Sequence, residues 1–138
     1  MFGEIVAAEM RANAAGRMIE ETWREMPQFL PTVALDAFQL MPNHLHGVLL
    51  IDACAAPGGI ALEDVVQRFK ALTTRRYIEG VKACSWPRFT GRLWQRGYDD
   101  RILRNDASLE RVRNYIAANP ARWEFDRENP HARSPVEP

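Results

Sequence analysis

Residues 33–52 read "VALDAFQLMPNHLHGVLLID", two apolar runs joined at Pro42-Asn43. Val33, Leu35, Ala37 and Gln39 alternate loosely, and a Pro-Asn dipeptide between strand-like runs is a turn signal. The stretch therefore predicts a β-hairpin. Its second arm carries His44 and His46, two of the chain's three histidines. Residues two apart on a strand share a face, so both imidazoles converge while Leu45 and Gly47 face the other side. Two imidazoles this close resist being charged together, which suits a neutral, metal-holding pair. The polar face of an edge strand accounts for the same spacing, and a pair alone lacks the third ligand a tight site needs.

Outward from the hairpin, Phe2–Val6 reads as a short strand. Asn13–Met26 reads as a helix, with Ala14, Met18, Ile19 and Trp23 at helical spacing and Pro27 ending it. Leu62–Ile78 is the clearest helix: Leu62, Val65, Val66, Phe69, Leu72 and Thr73 make one stripe, with Arg68, Arg75 and Arg76 off it. Leu93–Leu103 reads as a strand, and Ser108–Ala118 as a helix closed by Pro120. After Trp123 the sequence is polar and proline-rich, which predicts a mobile tail with His131 in solvent. We expect one domain over 1–127 and a flexible tail over 128–138. The order βαββαβα predicts an α+β fold, a ferredoxin-like or RRM-like antiparallel sheet with helices on one face.

The chain has 138 residues, of which 46% are apolar and 26% charged, enough for one packed domain. No apolar run is long enough to span a bilayer, and no signal-peptide pattern opens the chain. Cys54 and Cys84 have no CxxC context and read as plain thiols in the cytoplasm. Net charge is zero, but its distribution is uneven. Between Arg68 and Arg113 stand 12 Lys and Arg against 5 acids. Arginine dominates, and its planar fork suits phosphate, so a polyanionic partner is expected. Arg68, Lys70, Arg75, Arg76, Arg92 and Arg96 are the candidate backbone contacts, with a solvated surface as the plain alternative.

The last helix carries two stripes. Leu109, Val112 and Ile116 are apolar, whereas Ser108, Arg111, Tyr115, Asn119 and Arg122 recur every three or four residues on a polar face. A phenol ionises near about pH 10 in solution, and neighbouring cations or a metal would help it attack. On the helix alone, an amphipathic tyrosine resting on the rim of the core is the favoured reading.

The runs "MPNHLHGVLLI" (41–51), "RFKALTTRRY" (68–77), "LWQRGYDDRILRND" (93–106) and "YIAANPARWEFD" (115–126), in this order, resemble the REP-associated tyrosine transposases. These are single-tyrosine insertion-sequence transposases of the HUH endonuclease superfamily. The resemblance covers Phe2 to about Asp126. It implies a metal-dependent transposase that cleaves and rejoins single-stranded or hairpin DNA through a 5′-phosphotyrosine. It implies Tyr115 as the nucleophile; should Tyr115→Phe still form an adduct, Tyr98 and Tyr77 are next in line. His44 and His46 are implied as ligands of Mg2+ or Mn2+, with Asn119 as the third metal contact, in a place where related enzymes can hold glutamine. A homodimer and a monomer both fit. Family members usually begin with a further strand, so we expect the sheet to lack its first strand through N-terminal shortening. The alternative is a shortened, catalytically inactive protein of the same fold that binds DNA hairpins. Cupins add a nearby glutamate and a later histidine, whereas here no glutamate follows His46 before Glu63 and His131 lies in the tail; two-histidine phosphoesterases need a second H-x-[ST] motif, which this chain lacks. RNA-binding modules of similar architecture carry an aromatic-rich strand motif that this chain lacks.

Overall fold

The computed structural model describes residues 1–51, 62–94, 103 and 105–131. The elements are β1 (Gly3–Val6), β2 (Glu9–Ala12), α1 (Ala14–Phe29), β3 (Val33–Leu40), β4 (Leu45–Ile51), α2 (Leu62–Cys84), α3 (Asp106–Ala118) and a 3-10 helix (Pro120–Phe125). The fold is α+β, as expected, with its described strands in two antiparallel pairs, β1–β2 and β3–β4.

β2 escaped the sequence reading for a physical reason. The β1–β2 turn is made by Ala7 and Ala8 with φ of 50° and 64°. Two-residue hairpin turns need this left-handed backbone, and Asn-Gly or Asp-Gly normally announces it. Two alanines announce nothing.

α1 begins on Asn13, whose side chain accepts from the Gly16 amide, and it runs three residues past its expected end. Pro27 lies within it, and the Leu30 amide still reaches the Met26 carbonyl at 2.9 Å. A proline in the last turn loses one hydrogen bond without stopping the helix. α2 likewise continues beyond Ile78 to Cys84. It ends where Ser85 turns left-handed (φ 58°) and the Trp86 amide reaches back to the Gly80 carbonyl. Trp86 lies against Gly80, where a Cβ would come within 2.2 Å of the indole.

The expected alternation of β3 is also corrected. Register runs Leu35 opposite Leu49, then Phe38 opposite Gly47, so β3 holds one extra residue there. Val33 and Leu35 on one side of this bulge, and Phe38 and Leu40 on the other, all face the core. Asp36 and Ala37 are both displaced from it. Trp23 of α1 stacks on Phe38 (centroids 5.0 Å) and meets Phe69 of α2 edge-on (5.9 Å), closing the core under the hairpin. Gly47 makes room for this, because a Cβ there would lie 2.6 Å from the indole.

α1 thus covers one face of β3–β4, with α2 packed against α1, and α3 lies over the other face. Phe2 is fully buried and pinned by its amide to the Pro42 carbonyl and by its carbonyl to the Asn13 amide. Of the expected strand over 93–103, Leu93 is buried and Trp94 packs on Phe2 and Phe69, both outside any strand. Residues 95–102 lie outside the described residues. Past Trp123 the chain keeps hydrogen bonds: Asn129 Nδ2 donates to the Trp123 carbonyl, and the Glu128 carbonyl accepts from Asn43. Residues 132–138 lie outside the described residues. No helix among the described residues is long and apolar enough to cross a membrane.

Candidate active site

The turn of the β3–β4 hairpin closes when the Met41 amide donates to the His44 carbonyl at 2.8 Å. His44 and His46 then stand edge to face, ring centroids 5.0 Å apart, each partly buried. Burial pushes both imidazoles below their ordinary pKa, and the proximity of His44 lowers His46 further. Asp126 and Glu128 oppose this without reversing it. Both rings are therefore held neutral more firmly than free histidine.

Asn43 orients the first ring. Its Nδ2 donates to the Glu128 carbonyl at 2.7 Å, which turns Oδ1 toward His44 Nδ1 at 2.8 Å. A carboxamide oxygen only accepts, so Nδ1 carries the proton and Nε2 presents its lone pair. That Nε2 faces Asp126 Oδ2 across 3.9 Å. The carboxylate attracts positive charge to this spot, but for the ring itself burial outweighs it and the imidazole stays neutral.

α3 brings the third component. Asn105 caps it, its side chain accepting from the Ser108 amide, and Ile116 is its buried residue. Tyr115 is 56% exposed, and its ring lies 6.0 Å from that of His46. Asn119 ends α3 and starts the 3-10 helix. It is 5% exposed, and its Nδ2 is buried with no hydrogen-bond partner. Ser108 and Arg111 bond to each other on the exposed face at 3.2 Å, and Arg122 is exposed on the 3-10 helix. Of the polar stripe read from the sequence, Arg111, Tyr115 and Arg122 are exposed, Ser108 is half-buried and Asn119 is buried.

Two neutral imidazoles, a nearby carboxylate and the oxygen of the buried Asn119 carboxamide are donor types that fit a divalent cation. Among the described residues no three His, Cys, Asp or Glu side chains gather into a metal cage. A cation held by the pair would complete its shell with carboxamide, water or substrate oxygens, as Mg2+ commonly does. Sequence reasoning missed Asn43, Trp123 (6.1 Å from His44) and Asp126. Asn43 read only as a turn residue, and Asp126 only as the last residue of the matched run, with no role of its own.

The model of the family described as "Transposase IS200 like" matches residues 7–119. The chain belongs to the IS200-like transposases. A relative from Haemophilus influenzae, described as an uncharacterized protein, is 33% identical over 138 aligned positions, covering 91% of this chain and 76% of the relative. No solved structure matches.

For a transposase, the basic half of the chain is the DNA-facing candidate. Lys70, Arg75 and Arg92 line one groove of ≈ 770 Å³, together with Lys82, Phe89 and Trp94. Lys82 was not singled out by sequence. None of the groove's lining residues belongs to the histidine–tyrosine cluster. Arg68 is exposed and lies over the Phe29 ring at 5.8 Å. Arg76 donates to Thr22 Oγ1 at 2.8 Å and pairs with Glu25, so its guanidinium ties α2 to α1. Arg96, Tyr98 and Cys54 lie outside the described residues. Tyr77 is buried, and its hydroxyl donates to the Pro87 carbonyl at 2.6 Å.

Proposed function

We propose that this transposase, of the REP-associated kind, cleaves and rejoins single-stranded or hairpin DNA through Tyr115. The observation that carries this reading is the approach of the exposed Tyr115 ring to His46, centroids 6.0 Å apart, beside the neutral His44–His46 pair. His44, His46 and the Asn119 carboxamide would hold Mg2+ or Mn2+. When bound, the cation supplies Lewis-acid neutralisation of charge on the non-bridging phosphate oxygens.

The remaining work belongs to the chain. Tyr115 Oη gives its proton to solvent and attacks phosphorus in line. The bond from phosphorus to the 3′-oxygen breaks, and that oxygen leaves with the electron pair and takes a proton. The products are a 5′-phosphotyrosine and a free 3′-hydroxyl. Attack by another 3′-hydroxyl runs the step backward and joins DNA without a nucleotide cofactor, because the ester keeps the bond energy. Arg111, exposed one turn before Tyr115 on α3, and the exposed Arg122 orient the phosphate. A reacting phosphate must bend into the site, which favours unpaired strands. The DNA backbone follows the basic groove of α2.

The test is incubation with labelled hairpin DNA and Mn2+, followed by a denaturing gel. The wild type should form a covalent adduct and Tyr115→Phe should form none, while hairpin affinity stays within about three-fold. Adduct in the Phe variant would move the nucleophile elsewhere. No adduct in the wild type, with hairpin binding intact, would make this an inactive DNA-binding protein.

A further inference from the structure

α3 has little to hold it. Ile116 is its one fully buried residue, Leu109 and Val112 are half-buried, and the remaining faces are polar. Its polar tie to the histidine sheet is a two-pronged ion pair. Arg113 Nε donates to Asp36 Oδ1 at 2.8 Å, and Nη2 donates to Oδ2 at 2.6 Å. The same guanidinium also donates to Glu110, one turn earlier on α3, at 2.6 Å.

Asp36 is available for this only because of the bulge in β3. Counting back from the core-facing Leu40 and Phe38, residue 36 of a regular strand would point into the core. The extra residue between Leu35 and Phe38 takes Asp36 off that face, to the side on which His46 and α3 lie. The Ala37 amide then donates to Asp36 Oδ1 at 2.7 Å and fixes the carboxylate. Arg113 holds the Asp36 carboxyl down at about 2, as expected of a pair charged throughout the working pH range.

We propose that the Asp36–Arg113 pair positions the nucleophile, setting the rotation and depth of α3 so that Tyr115 meets the histidine pair. This rests on Tyr115 being the nucleophile. Arg113 and Tyr115 are two residues apart on one rigid helix, so a fork gripping the first constrains the second. A fork–fork contact fixes orientation in a way a single charge does not. Neither residue touches the reacting atoms. Both are positioning residues, and their loss is felt in the chemical step and not in DNA binding.

The experiment compares single-turnover adduct formation by wild type, Asp36→Asn, Arg113→Lys and the exchanged pair Asp36→Arg/Arg113→Asp, with hairpin affinity, Mn2+ binding and melting temperature measured on each. A displacement of about 1 Å at a reacting centre costs on the order of 100-fold in rate. We expect Asp36→Asn and Arg113→Lys to lower the adduct rate by about 10- to 100-fold. Hairpin and Mn2+ affinities should stay within about three-fold at temperatures where every variant is folded. The exchanged pair should recover part of the lost rate. Single variants with wild-type rates would overturn the proposal, as would losses of DNA affinity that match the losses of rate. A wild type that forms no adduct would refute the nucleophile assignment itself, and the proposal with it, an outcome distinct from an active wild type with unaffected variants.

Discussion

Gly47→Ala should destabilise the protein through one contact. The added methyl would lie 2.6 Å from Trp23 Cη2, 3.0 Å from Cζ2 and 3.2 Å from Cζ3. Carbon atoms rest comfortably at about 3.5–4.0 Å, so strand and indole must part by roughly 1 Å. The indole cannot yield easily, because Phe38 stacks on it at 5.0 Å and Phe69 meets its edge at 5.9 Å. Gly47 itself is exposed, but a methyl wedged against the buried indole overfills that contact, at a cost of about 1–3 kcal/mol. Replacing glycine also removes freedom from the unfolded chain, which returns about 0.4–1 kcal/mol. The net expectation is a loss of about 1–2 kcal/mol, read from urea unfolding followed by tryptophan fluorescence with an unchanged slope. Trp23→Phe in the same background should remove part of the clash, giving a coupling of at least about 0.5 kcal/mol in the double-mutant cycle. A Gly47→Ala variant as stable as wild type would refute the close packing of β4 on α1 that faces the histidines away from the core.

Further consequences concern charge. Burial lowers both His44 and His46, so the unfolded chain binds more protons than the native one as pH falls below the ordinary histidine value. Their contribution to stability is present above about pH 6.5 and is lost as pH falls toward their lowered values. Melting temperature should drop on going from pH 7.5 to 5, and His44→Asn/His46→Asn should flatten that drop. Arg75→Ala with Lys82→Ala should weaken binding to all DNA sequences alike and reduce the slope of log affinity against log salt by about 2. Loss of hairpin discrimination at constant slope would make these residues base readers. Arg76→Ala should instead show mainly as stability, up to about 1 kcal/mol, because its partners are Glu25 and Thr22.

The helices were legible because their cores are periodic: Phe69, Thr73 and Tyr77 recur on one face of α2 and are buried there. The histidine hairpin was legible because Pro42-Asn43 punctuates it. What stayed hidden depends on groups that sequence spacing does not connect. The β1–β2 turn uses two alanines in a backbone state they seldom adopt. The bulge at Asp36 leaves no mark in composition, so the alternation of β3 was assigned to the wrong residues beyond Leu35. Arg113 lay off the polar stripe and read as one more surface charge. Its partner is 77 positions away in the chain. Asn43 and Asp126 have meaning only once the chain after Trp123 returns to the hairpin.

The central claim is that Tyr115 carries the DNA bond, and trypsin offers a direct measurement. Cleavage after Arg113 and Arg122 releases Asn114–Arg122, in which Tyr115 is the sole tyrosine; Tyr77 and Tyr98 fall in other peptides. After reaction of the wild type with a short hairpin and Mn2+, then nuclease trimming, mass spectrometry should find the residual nucleotide mass on Asn114–Arg122. Fragmentation should place it on the tyrosine through its 5′-phosphate. The same mass on the peptide of Tyr77 or Tyr98, or on none, would contradict the account.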